Sequence, residues 1–316
     1  MSNMSCVGVT SRSFSKHEGL KSILRKKYPA VKFNETGKVL AGDDLIEFLE
    51  DCDHAIVALE KIDRTILDRL PKLRVISKYG VGLDGIDLKA LKRSGVKLGW
   101  TAGVNSRSVA ELALCFMLDL VRNVSYSVQQ VREKNWKQVK GRLLTGKTVG
   151  IIGCGHVGKN LVGLLNGFGC KLLTYDIADY RDFYRANQVS PVSLNELLSQ
   201  SDIVSLHVPL DDSTKLILDK DRLSLLRKEA ILINTARGGL VDEAHLKYML
   251  DNGLIEAAAF DVLEVEPPRN FSLIEQKNFR CTPHIGGSSH EAILAMGQAA
   301  ISGLETAKNL AGVELV

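Results

Sequence analysis

Short apolar runs alternate with amphipathic runs along nearly the whole chain, and that alternation leaves few architectures open. The strand-like runs are Cys6–Thr10, Ala55–Leu59, Arg74–Lys78, Thr148–Gly153, Lys171–Asp176, Asp202–Val208, Ala230–Thr235 and Ala257–Val262. Helical spacing of apolar residues marks Leu20–Lys27, Asp43–Glu50, Asp87–Ser94, Val157–Phe168, Leu194–Ser199 and Glu243–Asn252. Strands that take turns with helices build parallel sheets covered on both faces, because each parallel connection is long enough to hold a helix. A chain of 316 residues has room for two such domains. A long apolar helix over Ser106–Arg122 interrupts the alternation near position 100, and the tail Ser289–Leu310 reads as a last helix with no strand after it. The expected class is therefore α/β, with two doubly wound parallel-sheet domains. Residues 102–288 form one of them, inserted between the 1–101 and 289–316 segments of the other.

The pattern GxGxxG occurs twice, and only context gives it meaning. At Gly153-Cys154-Gly155-His156-Val157-Gly158 a strand (TVGIIG) runs into the glycines and a helix (VGKNLVGLLNGF) runs out of them. The next strand ends in Asp176, 18 residues after Gly158. This is the fingerprint of a Rossmann dinucleotide site. Gly153 permits the tight turn, Gly155 the approach of a pyrophosphate, and Gly158 the close packing of helix on strand. Free N–H groups at the helix start then face the phosphates. Asp176 suits a ribose diol and repels a 2′-phosphate, so NAD is expected rather than NADP. The bland alternative is a tight strand–helix turn that binds nothing. The earlier copy, Gly80-Val81-Gly82-Leu83-Asp84-Gly85, follows a strand but lacks the acid. It reads as a second anion cradle, suited to a substrate carboxylate, or as a plain turn.

Three further strands end in chemistry. Arg237 follows ILINTA, Glu266 closes AAAFDVLEVE before two prolines, and His284 sits in CTPHIGG. Together these types suit hydride transfer at carbon 2 of a 2-hydroxy or 2-oxo acid. A histidine can move the oxygen's proton near neutral pH, and a carboxylate beside it fixes its tautomer and favours its charge. A guanidinium fork grips a carboxylate bidentately. Singly, each has an ordinary reading as a capping arginine, a surface acid or a loop histidine.

With KYGVGLDGIDL, NSRSVAEL, VGIIGCGHVG, HVPL, ILINTARGGLVDE, AAAFDVLEVEPP and TPHIGG in this order, the chain resembles the D-isomer-specific 2-hydroxyacid dehydrogenases over essentially its whole length. The resemblance implies a Rossmann NAD domain set in a flavodoxin-like substrate domain that closes over the substrate. It makes His284 the acid/base, Glu266 its partner and Arg237 the ligand of the substrate carboxylate and carbonyl. Tyr79, Gly80, Val81 and Gly82 would meet the substrate. Gly153, Gly155, His156, Val157, Gly158, Asp176, His207, Val208, Pro209, Thr214, Thr235, Ala236, Asp261, Gly286 and Asn105 would line the NAD site. It also implies a homodimer, with the helix from Ser106 as the dimerisation element. NSRSVAEL and GVGLDGIDL look most like D-3-phosphoglycerate dehydrogenases, here in a short form without the serine-sensing domain many carry. D-3-phosphoglycerate is thus the expected substrate. However, Ala58 stands in VALEK (Val57–Lys61) where many phosphoglycerate enzymes place an arginine, and it cannot hold a phosphate. Lys61, Lys78, Lys140 and Arg142 are the cations that could replace it, and hydroxypyruvate, glyoxylate or another 2-oxo acid is the alternative substrate. Some relatives act as NAD-sensing corepressors with the same trio, but they tend to carry disordered extensions.

Other classes are disfavoured. The net charge of +4 is small and dispersed, and Arg25, Lys26 and Lys27 read as a solvated helix face rather than a nucleic-acid patch. The six cysteines show no CxxC spacing and no zinc or disulfide framework, so buried free thiols and no metal are expected. The most apolar run, Val109–Val121, contains Glu111 and Asp119 and is too short to span a bilayer. The start of the chain does not read as a signal peptide, and the expected location is the cytoplasm.

Overall fold

Parallel pairing organises every strand in two separate sheets. A computed structural model describes residues 5–310. The chain divides into two units, one of Met1–Asn105 with Gly287–Val316 and one of Ser106–Gly286. Residues 1–4 and 311–316 of the expected outer segments lie outside the described residues.

The first unit runs β1 (Cys6–Val9), α1 (Arg12–Lys16), α2 (Glu18–Lys27), β2 (Ala30–Phe33), α3 (Gly42–Leu49), β3 (His54–Val57), α4 (Arg64–Asp68), β4 (Val75–Lys78), α5 (Leu88–Ser94) and β5 (Lys97–Gly99). Its sheet has the order β2-β1-β3-β4-β5, which is the flavodoxin-like winding. The helix His290–Thr306 closes this unit by packing on β4, β5 and α2. Its approach is close because glycines meet: a Cβ on Gly99 would lie 2.2 Å from the Gly303 carbonyl oxygen. Ser77 Oγ donates to the Ala300 carbonyl at 2.6 Å in the same contact.

The second unit runs α6 (Ser106–Arg122), α7 (Val124–Arg132), β6 (Thr148–Ile152), α8 (His156–Asn166), β7 (Lys171–Tyr175), α9 (Arg181–Asn187), β8 (Val189–Pro191), α10 (Leu194–Gln200), β9 (Ile203–Leu206), α11 (Lys220–Leu223), β10 (Ile231–Asn234), α12 (Glu243–Asp251), β11 (Ala257–Phe260) and β12 (Phe279–Cys281); the closing helix of the first unit is α13. The sheet order is β12-β11-β10-β9-β6-β7-β8. Counted from β6, this is the Rossmann order with one more strand at the edge. Strand alternation builds two cores on its faces. Ile151, Ile231, Ile233 and Ala259 join the α6 and α8 side, while Leu232, Ala258 and Phe260 join the α10 and α12 side. Each fully buried isoleucine or phenylalanine there contributes about 1.5–3 kcal/mol of transfer free energy.

The structure adds to the sequence reading at the sheet edges. The strand runs named from the sequence all lie in β1, β3, β4, β6, β7, β9, β10 and β11, which are interior strands. The remaining strands, β2, β5, β8 and β12, are the edge strands, each of three or four residues. The tail helix stops at Thr306, and Lys308 then forms an antiparallel bridge to Leu98. The cysteines are free but not all buried: Cys52 and Cys154 are buried, and Cys115 is exposed. No helix among the described residues is long and apolar enough to cross a membrane.

Candidate active site

Because the strands of the second unit are parallel, the loops after β6, β7, β9, β10, β11 and β12 all leave from one edge of its sheet. Every sequence-predicted residue of this unit falls in those loops or at the adjoining helix starts. Gly153 turns with φ 94°, and a Cβ there would lie 2.8 Å from the His207 carbonyl carbon and from Val208 Cγ1. The glycine turn is thus pressed against the end of β9. Gly158 is required by packing as well, since its Cβ would lie 2.2 Å from the Gly153 carbonyl oxygen. Gly155 differs: a Cβ there would meet nothing within 4 Å. Its smallness answers to no neighbour in the protein, which suits a ligand approaching the backbone. Gly155 is also the N-cap of α8 and offers no side-chain cap, so the amides at His156 and Val157 are left for a ligand. Asp176 is tied to this turn, its Oδ2 accepting from the Cys154 N–H at 2.6 Å and its Oδ1 from the Ala178 N–H at 2.8 Å.

Buried polar atoms without partners stand at the same edge. His207 Nδ1 and Thr235 Oγ1 have no hydrogen-bond partner. Ser205 Oγ lies 2.9 Å from the other ring nitrogen of His207, and burial drives the His207 pKa down to about 3, so the ring is neutral. Such orphans are costly in a finished interior, and they suit the amide and hydroxyl groups of a dinucleotide. The side chains present therefore fit a dinucleotide here. Thr214 hydroxyl donates to the Pro209 carbonyl at 2.7 Å and braces the loop after β9. Ala236 N–H donates to Asn234 Oδ1 at 3.0 Å.

Glu266 and His284 meet directly. His284 Nδ1 donates to Glu266 Oε2 at 2.8 Å, with the two side chains 45% and 37% exposed. Glu266 Oε1 accepts from the Leu263 N–H at 3.0 Å, which fixes the carboxylate's orientation. The bond to Glu266 raises the His284 pKa above its ordinary value; burial and the charge of Arg237 oppose this and lose. Burial would raise the Glu266 pKa, but the bond from His284, the Leu263 N–H and the charges of His284 and Arg237 hold it below the ordinary value. Arg237 is therefore close enough for its charge to act on both, and one of its terminal nitrogens donates to the Ala236 carbonyl at 2.7 Å.

The backbone around His284 is unusual. His284 takes the left-handed conformation, φ 54°. Asp261, 1% exposed, sustains it. Its Oδ1 accepts from Thr282 Oγ1 at 2.5 Å and from the Ile285 N–H at 2.7 Å, and its Oδ2 accepts from the Gly286 N–H at 2.7 Å. The resemblance places Asp261 in the NAD site, yet its carboxylate is spent on the protein's own loop. The Gly286 carbonyl accepts from Ser108 Oγ at 2.6 Å. Sequence reasoning passed over Thr282 and Gly238. A Cβ on Gly238 would lie 2.0 Å from the Leu263 carbonyl oxygen, so only glycine lets the Arg237 loop lie against the turn that carries Glu266. The paired glycines after Arg237 were the available signal.

The remaining predicted residues belong to the first unit. Gly80 has φ 112°, a backbone that disfavours any side chain. The Val81 carbonyl accepts from Trp100 Nε1 at 3.0 Å. The Tyr79 phenol is buried, donating to Ser13 Oγ at 3.1 Å, so this residue can present only backbone to a ligand. Asn105 Oδ1 is a third buried atom without a partner.

Similarity to known proteins matches this geometry. Residues 114–286 fit the NAD-binding domain of the D-isomer specific 2-hydroxyacid dehydrogenases. The chain is 37% identical over 267 residues to a D-3-phosphoglycerate dehydrogenase of Methanocaldococcus jannaschii, a match covering 83% of this chain and 51% of that one. It thus spans about half the length of that relative. It is 36% identical over 268 residues to a hydroxypyruvate reductase of Thermotoga maritima, covering 83% of this chain and 87% of that one. The solved structure of a pyruvate reductase of Chlamydomonas reinhardtii superposes with a TM-score of 0.84 at 28% identity, covering 95% of this chain and 94% of that one. The chain belongs to the family of D-isomer specific 2-hydroxyacid dehydrogenases. It is an NAD-linked oxidoreductase of that family.

Proposed function

We propose that His284, Glu266 and Arg237 interconvert a D-2-hydroxy acid and its 2-oxo acid. The observation that supports this most directly is the 2.8 Å His284–Glu266 bond within reach of the Arg237 charge. In the reducing direction the guanidinium of Arg237 grips the substrate carboxylate and polarises the ketone. His284, kept as imidazolium by Glu266, gives a proton to the oxygen on carbon 2; in the oxidising direction the neutral ring takes it back. The 153–158 turn would hold the dinucleotide, which would supply hydride as NADH in reduction and take it up as NAD+ in oxidation. Gly80, Val81 and Gly82 are assigned to the substrate carboxylate through their amides. Asp176 is assigned to the ribose diol, and His207 and Thr235 to the polar groups of the cofactor.

For the substrate we favour a short unphosphorylated 2-oxo acid such as hydroxypyruvate or glyoxylate. Three of the four cations available for a phosphate are engaged elsewhere. Lys61 pairs with Asp63 at 3.3 Å. Buried Lys78 donates to the Ala58 carbonyl. Arg142 pairs with Glu256 and donates to the Glu229 carbonyl at 3.2 Å. The loops resembling phosphoglycerate enzymes support 3-phosphohydroxypyruvate as the second reading. NADH oxidation with glyoxylate, hydroxypyruvate, pyruvate and 3-phosphohydroxypyruvate decides: turnover confined to the phosphorylated acid overturns the preference, and no turnover with any of them overturns the assignment.

We also assign a homodimer. Helix α7 buries none of its residues, and Val124, Val128 and Val131 at i, i+4 and i+7 are 51%, 45% and 48% exposed. An apolar stripe of this spacing suits a second copy. Light scattering that gives the monomer mass at micromolar concentration would refute it. A cytoplasmic location accords with six free cysteines.

A further inference from the structure

We propose that Glu243 is a positioning residue for the acid/base pair: its carboxylate holds the 263–266 turn in the shape that presents Glu266 to His284. The proposal rests on the reading of His284 and Glu266 given above.

The turn is fixed from three sides. From within, Glu266 Oε1 accepts from the Leu263 N–H at 3.0 Å. From one flank, Gly238 lies so close to the Leu263 carbonyl that a methyl group has no room. From the other, Glu243 Oε1 accepts from the Glu264 N–H at 2.7 Å. Glu243 is itself anchored at its base. It is the first residue of α12, whose N-cap Asp242 accepts from the His245 N–H, and the helix buries Leu246, Met249 and Leu250. A rigid helix therefore carries a half-buried acid to the one turn whose conformation decides where the Glu266 carboxylate points.

Holding that turn by an acid is electrostatically unfavourable, so it is the 2.7 Å hydrogen bond to the Glu264 N–H that carries the role. Burial pushes the Glu243 pKa up, and the charges of Glu264 and Glu266 push it up further, against the pull of the Glu264 N–H. A neutral acceptor would hold the amide without adding a negative charge near Glu266. Burial, with smaller contributions from the charges of Asp261, Glu266 and Glu243, pushes the nearby Cys281 thiol up to about 11. The hydrogen bond, not the charge, is the part needed to aim Glu266, because His284 responds first to its bond with Glu266.

The test compares Glu243→Ala with Glu243→Gln, reading the His284 ring resonance by NMR titration of the whole protein and the steady-state kinetics of oxo-acid reduction. Glu243→Ala should lower the His284 pKa toward its ordinary value. It should cut kcat on the order of tenfold to a hundredfold, the usual result of a small misplacement, while NADH affinity holds. Glu243→Gln keeps an acceptor oxygen and should keep both the titration and kcat near wild type. A Glu243→Ala protein with the wild-type titration and kcat overturns the proposal, and so does a folded Glu243→Gln protein as damaged as Glu243→Ala. If Glu243→Ala does not fold, Glu243→Asp, which withdraws the carboxylate by one methylene, stands in for it with the same two outcomes. Normal turnover in His284→Ala would instead sink the acid/base assignment, while the titration still decides whether Glu243 holds the pair.

Discussion

Replacing Asp261 by Asn changes one atom and asks what holds His284 in place. The carboxylate accepts three hydrogen bonds, from Thr282 Oγ1, Ile285 N–H and Gly286 N–H, at 2.5, 2.7 and 2.7 Å. Bonds to a charged acceptor are worth about 1.5–3 kcal/mol each, so the set supplies about 5–9 kcal/mol to this loop. The left-handed backbone of His284 costs about 1–3 kcal/mol. The bonds therefore outweigh the strain with a margin, and Asp261→Asn consumes much of it. In the best orientation the amide oxygen keeps Thr282 and Ile285, but its NH2 then faces the Gly286 N–H, and that buried donor is orphaned at about 1–3 kcal/mol. The two surviving bonds lose their charge assistance, at about 1 kcal/mol each. The expected destabilisation is about 3–5 kcal/mol, a large part of the 5–15 kcal/mol typical of a whole domain. Urea unfolding measures it, and turnover in the reducing direction should fall alongside as His284 leaves Glu266. A loss of stability below about 1 kcal/mol with unchanged turnover would refute the reasoning. If instead NADH affinity alone collapsed, the carboxylate would be a cofactor ligand and not the support of the catalytic loop.

His284→Ala should reduce turnover by about 10²–10⁴-fold while NADH binding, followed by fluorescence, persists. The pH dependence has a definite sign. The His284 pKa is raised above its ordinary 6.5, so the imidazolium and the stability it lends are complete below that value and vanish as pH rises through the folded pKa. kcat/KM for reduction should accordingly be flat at low pH and fall on the alkaline side; Glu266→Gln should move that fall to lower pH, and an unmoved profile would discard the pairing. Asp176→Asn keeps an acceptor for the Cys154 N–H but removes the charge facing a 2′-phosphate, so the ratio of NADPH to NADH use, read as kcat/KM, should rise on the order of tenfold.

The interior strands were legible in the sequence for a physical reason. Strands such as β6, β9 and β10 are paired on both sides and covered on both faces, so they are continuous apolar runs. Edge strands such as β2, β8 and β12 bury less and pair once, and AVKF, VSP and FRC carry no such run. Helix α7 escaped for the same reason, since it buries nothing in its own chain. At the candidate site the glycine turn and the residues at strand ends were readable because their chemistry demands particular side chains near Gly, Pro or a strand terminus.

Local sequence thus determined which segments become strands and helices, and it marked a glycine turn, an acid, a guanidinium and an imidazole for one reaction, because periodicity and backbone freedom are properties of neighbours along the chain. It did not determine that Asp261 is spent on the loop of His284, that Tyr79 is turned into a core, that Arg142 pairs with Glu256, or that Glu243 reaches the Glu264 amide. Those outcomes depend on which partner lies within about 3 Å once the strands have stacked. A hydrogen bond between residues 21 or 24 positions apart leaves no periodic trace for a reader of the chain to find.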